Sequence, residues 1–344
     1  MKKCFVIAEA GVNHNGSEEI ALRLVEAAAK AGADAIKFQS FKAETLVAKG
    51  TATAEYQQQL TGSNDQYAML KKLELTEDLH RKLINHCRIY NIEFMSTPFD
   101  IESAKFLLKL DMEILKVPSG ELTNLPFISK LAAFDKPIIL STGMSSLEEV
   151  KEAVSIVREV REKQGFPEPL EEMLTILHCT SNYPASNEDV NLKAMQTMAA
   201  EFELPVGYSD HTDGTLVSVA AIAMGAKVVE KHFTLDRGLP GPDHKASLEP
   251  KELELMIQQI HQIEVCLGNG EKMPRASELP VRDLVRRSVT LVNNKEAGEL
   301  LQVDDLVLLR PGTGIPPKWL QQVVGRRMKT SQVAGTTLEW QDLI

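Results

Sequence analysis

The chain has 344 residues, 43% hydrophobic and 25% charged, and its 38 basic against 48 acidic side chains leave a formal charge of −10. This length suits one large domain plus a small one, and the acidic balance argues against nucleic acid or an anionic membrane as a partner. The four cysteines (Cys4, Cys87, Cys179, Cys266) are scattered with no CxxC pairing, as expected of reduced thiols in a cytoplasmic protein. No apolar run approaches the roughly 18 residues that span a bilayer. Glu9 interrupts the first apolar run, so the N-terminus reads as a β-strand and not a signal peptide.

In chain order, residues 5–10 form a predicted strand and 18–30 (EEIALRLVEAAAK) carry helical apolar spacing. Strands follow at 33–41, 93–99, 113–117, 137–142, 174–180, 205–209 and 227–233. Helices are expected at 79–90, 102–110, 126–133, 147–163, 192–201, 215–224 and 250–267. Eight βα units require parallel pairing with right-handed crossovers, and over about 260 residues they point to a closed (β/α)8 TIM barrel. A doubly wound open sheet is the alternative, but no GxGxxG or Walker motif favours it. The expected division is a barrel domain over 1–267, a polar linker over 268–284 and a small strand-rich domain over 285–344. The long insertion at 42–72 reads as a functional loop over the barrel mouth.

In such a barrel the C-terminal strand ends carry the active site, and here nearly every strand ends in polar side chains. They are Glu9, Lys37 with Gln39, Thr97, Lys116 followed by Ser119 and Glu121, Ser141, Ser181, Ser209 with His211, and Glu230 with His232. A single buried charge could be a structural salt bridge; desolvating one at strand after strand points to a ligand. His211 and His232 end neighbouring strands, close enough to converge on one ion, and the competing reading is two histidines satisfied by carboxylates. Two imidazoles with no cysteine beside them suit a divalent ion with open oxygen positions, manganese foremost, with magnesium or cobalt as alternatives. Lys37 and Lys116 with Thr97, Ser119, Ser141 and Ser209 form a ring of cations and hydroxyls suited to a small phosphorylated anion. Taken singly, each hydroxyl could equally satisfy its own backbone. Glu9 could act as an acid or base, or pair with Lys37. Gly120 and Gly143 sit where the backbone is expected to approach a neighbour closely. Cys179 reads as a small core residue and not as a nucleophile.

These stretches together resemble the bacterial sialic-acid synthase family. The matching motifs are IAEAGVNHNG (7–16), ADAIKFQSFKAE (33–44), STPFD (96–100), VPSGELTNLP (117–126) and ILSTGM (139–144). Further on come LHCTSNYPA (177–185), VGYSDHT (206–212), EKHFTLD (230–236), LPGPDHKAS (239–247) and RPGTGI (310–315). The resemblance implies a TIM barrel followed by an antifreeze-like (SAF) domain, in a domain-swapped homodimer. It assigns His211 and His232 to the metal, and Lys37, Thr97, Lys116, Ser119, Ser141 and Ser209 to phosphoenolpyruvate. Gln39, Tyr183, Asp243 and Arg310 go to the amino sugar, with Arg310 supplied by the partner subunit, and Glu9 and Glu121 to catalysis. Some members of the family carry Asn where this chain has Ser181, so that residue is assigned no contact. The implied reaction joins phosphoenolpyruvate, N-acetylmannosamine and water into N-acetylneuraminate and phosphate. Alternatives are a legionaminic acid synthase using 2,4-diacetamido-2,4,6-trideoxymannose, and a non-catalytic sugar-binding protein.

Overall fold

The computed structural model describes residues 4–53, 58, 62 and 64–344. These fall into two compact units, Met1–Gly268 and Asn269–Ile344.

The first unit holds strands β1 (Phe5–Gly11), β2 (Ala35–Ser40), β3 (Glu93–Pro98), β4 (Leu115–Val117), β5 (Ile138–Ser141), β6 (Leu174–Cys179), β7 (Val206–Asp210) and β8 (Val228–His232). They form one parallel sheet in the order 3-2-1-8-7-6-5-4, and β3 and β4 at its two ends lie side by side, closing it into a TIM barrel. The crossing helices lie within about two residues of their predicted positions, which is where helix ends fray and assignments differ. Their ends follow local chemistry. Ser17 accepts from the Ile20 N–H at the start of Glu18–Ala31, and Gly32 ends that helix in the left-handed region at φ 90°. Thr76 accepts from the Leu79 N–H, so the helix predicted from 79 begins at Glu77. Ser146 and Glu149 form a reciprocal capping box ahead of Leu147–Gln164, an arrangement worth about 1 kcal/mol.

Because successive strand residues face opposite ways, each strand contributes two kinds of position. Outward residues such as Val6, Ala8, Ile36, Phe38, Ile176 and Val229 pack under the helices in one large apolar core. Inward residues are layered along the barrel. Ile7, Ala35, Met95, Ile139, Leu177 and Val228 make an apolar floor. Strand β7 has only Gly207 at this level, because a Cβ there would lie 2.4 Å from Val228 O and 2.5 Å from Leu177 Cδ2. Two residues further along the strands the inward side chains are Glu9, Lys37, Thr97, Ser141, Cys179, Ser209 and Glu230, and all of them are buried.

The inserted segment after β2 forms short helices at Ala43–Leu46 and Gln66–Lys71, and its Phe41, Met69 and Leu73 bury against Val12 of the loop after β1. Part of the predicted loop (54–57, 59–61 and 63) lies outside the described residues. Among the described residues no helix is long and apolar enough to cross a membrane.

The second unit is a small domain with a thin core. Antiparallel β9 (Ser288–Leu291) and β10 (Leu306–Leu309) close over Val289, Leu291, Leu301, Ile315, Val323, Met328, Leu338 and Leu343. Residues 268–284, predicted as linker, include most of a short helix, Leu279–Val285, with Pro280 in its first turn.

Candidate functional site

At the C-terminal end of the barrel a cavity of about 340 Å³ opens above the polar layer. Of the residues singled out from sequence as site residues, all but Glu121, Asp243 and Arg310 line it. Strand periodicity explains this grouping, because inward polar positions two residues above an apolar floor have nowhere else to point.

The centre is a network of buried charges. Lys37 Nζ lies 2.6 Å from Glu9 Oε2 and 3.6 Å from Glu230 Oε2, and donates to Thr97 Oγ1 at 2.9 Å. Lys116 Nζ lies 3.8 Å from Glu230 Oε1, and donates to Ser141 Oγ at 2.7 Å and to the Val117 carbonyl at 3.2 Å. Ser209 donates to Glu230 Oε1 at 3.0 Å, and the Gln39 amide donates to Glu9 Oε1 at 3.4 Å. Glu230, recognised from sequence only as a polar strand end, is therefore the hub between the two lysines. Alternation along β8 already puts it on the same face as His232.

The two carboxyls are driven apart. Burial raises Glu9 to about 7, the charge of Glu230 adds to this, and Lys37 opposes it. Burial would also raise Glu230, but Lys116 and Lys37, with His232 and the Ser209 hydroxyl, hold it down at about 2. Glu9 is thus the carboxyl able to exchange a proton near neutrality, and Glu230 is a fixed negative charge. Burial lowers Lys116 and Lys37 adds to the effect. Lys37 itself is raised, because Glu230 and Glu9 outweigh its burial.

Above this network the rings of His211 and His232 lie 5.3 Å apart, and Tyr183 packs 4.2 Å from the first and 5.5 Å from the second. The Nδ1–H of His211 donates to the Thr180 carbonyl at 2.7 Å, which fixes the tautomer and leaves Nε2 as the free donor atom. Burial drives His232 well below the ordinary imidazole range, His211 beside it adding to the shift, and its buried Nδ1 has no hydrogen-bond partner among the described residues. A neutral imidazole with an unpartnered nitrogen, facing another whose tautomer is fixed, fits two-histidine ligation of a divalent ion. Among the described residues no third His, Cys, Asp or Glu joins them, so the remaining positions would fall to oxygens of water or substrate.

Three predicted residues stand elsewhere. Glu121 ends the short turn Ser119–Glu121 after β4 and accepts from Asn124 Nδ2 at 2.7 Å, so its carboxylate serves that turn and does not line the cavity. Asp243 is buried in the loop after β8, and burial raises it to about 6 against the opposing charge of His211. Arg310 is exposed on the second unit, just before the cis bond to Pro311. The two glycines expected to allow close approach differ. A Cβ on Gly143 would lie 2.2 Å from Ser181 Oγ and 2.8 Å from Ser119 Oγ, whereas nothing lies within 4 Å of one on Gly120. Gly143 also donates its N–H to Ser119 Oγ at 3.0 Å, holding that hydroxyl at the rim. A larger cavity of about 630 Å³ opens alongside and shares Met144, Cys179 and Ser181 with the first.

Comparison with known proteins gives this site a family. The model of the NeuB family matches residues 24–272, and that of the SAF domain matches 286–344. The N,N'-diacetyllegionaminic acid synthase of Legionella pneumophila is 52% identical over 341 residues, covering 99% of this chain and 94% of that protein. That of Campylobacter jejuni is 46% identical over 327 residues, covering 95% and 96%. The crystal structure of the N-acetylneuraminic acid (sialic acid) synthetase of Leptospira borgpetersenii superposes with a TM-score of 0.70 at 35% identity, covering 81% of this chain and 90% of that one.

Proposed function

The chain belongs to the NeuB family of sialic-acid-type synthases, and from that premise we propose that it condenses phosphoenolpyruvate with an N-acylated amino-sugar aldehyde and water, releasing phosphate. The observation that carries this reading is the buried Lys37–Glu9–Glu230–Lys116 network beneath the imidazole pair. It supplies cations for a phosphorylated anion, one carboxyl near neutrality and a place for one divalent ion.

In this reading Lys37 and Lys116 offset the charge of phosphoenolpyruvate, while Thr97, Ser119, Ser141 and Ser209 orient its oxygens. His211 and His232 would hold a divalent ion, manganese being the best fit to two imidazoles, and that ion would supply Lewis-acid polarisation of the aldehyde. The new C–C bond joins C3 of phosphoenolpyruvate to the aldehyde carbon, the aldehyde oxygen takes the carbonyl π pair and a proton from the acid form of Glu9, and C2 becomes electron-poor. Glu9, poised near neutrality, takes the proton of the water that captures C2. Glu230 stays ionised and holds the lysines in place. Phosphate leaves with cleavage of the C2–O bond, so an isotopic label in the bridging oxygen of phosphoenolpyruvate is expected in phosphate. Label retained in the sugar acid would sink the mechanism.

The acceptor assigned here is 2,4-diacetamido-2,4,6-trideoxymannose, because the two legionaminic acid synthases are more similar to this chain than the sialic acid synthetase is. N-acetylmannosamine is the second reading, favoured by that synthetase's match in fold and sequence. Phosphate release with Mn²⁺ should give a kcat/KM about tenfold or more higher for the diacetamido sugar, since a pocket shaped for one substituent pattern penalises the other. The reverse ratio assigns N-acetylmannosamine, and no phosphate with either acceptor defeats the synthase reading.

Gly143 provides a separate check. Gly143→Ala should displace Ser119 and Ser181 and raise the KM for phosphoenolpyruvate by about tenfold to a hundredfold, with the fold intact by circular dichroism. An unchanged KM would remove Ser119 from the substrate contacts.

A further inference from the structure

Behind the imidazole pair, on the outer face of the same two strands, lies an ion pair that the proposed chemistry does not use. Alternation turns Ser209 and Glu230 into the cavity, and Asp210 and Lys231 away from it. Asp210 and Lys231 stand opposite each other in the β7–β8 ladder, both are 0% exposed, and Lys231 Nζ lies 3.1 Å from Asp210 Oδ2. As a source of stability alone such a pair is weak, because desolvating two charges offsets most of their attraction. Its hydrogen bonds show what else it does. Asp210 Oδ1 accepts from both the backbone N–H and the hydroxyl of Thr212, each at 2.8 Å, and Oδ2 accepts from Ser218 Oγ at 2.6 Å. Lys231 Nζ donates to the Thr212 carbonyl. One ion pair therefore grips Thr212 by both its N–H and its C=O.

The residue between Asp210 and Thr212 is His211, and the residues flanking Lys231 are Glu230 and His232. The geometry points to Asp210 and Lys231 as positioning residues for the metal-binding pair: together they pin the turn carrying His211 to the strand carrying His232. The separation of the two imidazoles is thereby set by protein contacts alone. A pair of apolar side chains could fill the same space between β7, β8 and the helix Leu216–Ala223, but it could not hold a peptide N–H and a C=O at once. The inference rests on the metal reading only for the use made of that separation.

The test compares the wild type with Asp210→Asn and with the apolar double variant Asp210→Leu/Lys231→Met. The readouts are Mn²⁺ binding by calorimetry, thermal unfolding and metal-free crystal structures. Asp210→Asn strands the lysine charge and should lower both Tm and Mn²⁺ affinity, the latter by roughly 10–100-fold, as losses behind a ligand do. The double variant leaves no unpaired charge, so Tm should largely recover while Mn²⁺ affinity stays low and the ring separation, 5.3 Å in the parent, opens. A merely structural pair predicts that affinity returns together with Tm and that the rings stay in place; either result overturns the proposal. Should the double variant not fold, the milder Asp210→Asn/Lys231→Met removes the Lys231 grip on the Thr212 carbonyl and should weaken Mn²⁺ binding several-fold; unchanged affinity would overturn the proposal equally. A wild type that binds no Mn²⁺ defeats the metal reading, and the ring separation in the metal-free structures then decides the role of the ion pair by itself.

Discussion

Lys37→Met is expected to lower kcat/KM for phosphate release by about 10³-fold, the scale on which removing a preorganised electrostatic group acts. Two effects combine. The variant loses the cation nearest both carboxyls, 2.6 Å from Glu9 and 3.6 Å from Glu230, and with it a partner for the phosphorylated substrate. It also leaves Glu9 buried with only the Gln39 amide at 3.4 Å, so the carboxyl neutralises and can no longer accept a proton. Breaking one side of a buried pair should cost about 3–5 kcal/mol of stability, read from urea unfolding. Adding Glu9→Gln should recover much of that stability and none of the activity. A Lys37→Met enzyme retaining a tenth of wild-type kcat/KM would show that the lysine is a structural partner of Glu9 and not part of an anion site.

The second large effect concerns the imidazole pair. Dialysis against EDTA should abolish turnover, and Mn²⁺ should restore it. His232→Asn should leave the barrel folded, because His232 is neutral, its Nδ1 makes no hydrogen bond among the described residues, and its loss breaks no ion pair. Its Mn²⁺ affinity should fall about a hundredfold and its kcat by about 10³-fold or more, as a Lewis acid worth several kcal/mol is lost. Full activity after EDTA treatment would return both histidines to the reading that they are simply satisfied by neighbours.

The barrel was legible because its signal is local. Period-two strands alternating with amphipathic helices show themselves one segment at a time, and polar residues at the ends of those strands can only gather at one mouth. From sequence Glu230 reads as a polar strand end on the face of His232 and no further, because its importance is not local. Lys37 and Lys116 come from β2 and β4, and only closure of the sheet brings both to a carboxylate on β8. Glu121 shows the converse. Two residues past Ser119 it looks like a continuation of the site, but the turn it ends leads its carboxylate to Asn124. Gly120 and Gly143 look alike as Ser-Gly and Thr-Gly pairs, and only the positions of Ser181 and Ser119 separate the crowded one from the open one. The helix Leu279–Val285 does not show in the sequence because its proline and flanking charges read as turn-rich, although proline is well placed in a first helical turn.

The apolar floor at Ile7, Ala35, Met95, Ile139, Leu177 and Val228 has a consequence for how such an enzyme diversifies. The charges seated above it belong to strands, where one residue of slippage would turn every side chain to the wrong face. The residues proposed for the sugar are differently placed: Gln39 near the end of β2, Tyr183 and Asp243 on loops, Arg310 on the second unit. Loops tolerate exchange that strands do not. Under the proposed assignment, three of the four sugar residues lie off the strands and only Gln39 lies within β2, so an engineer seeking a new sugar acid would graft loops first and leave the charged strand positions untouched.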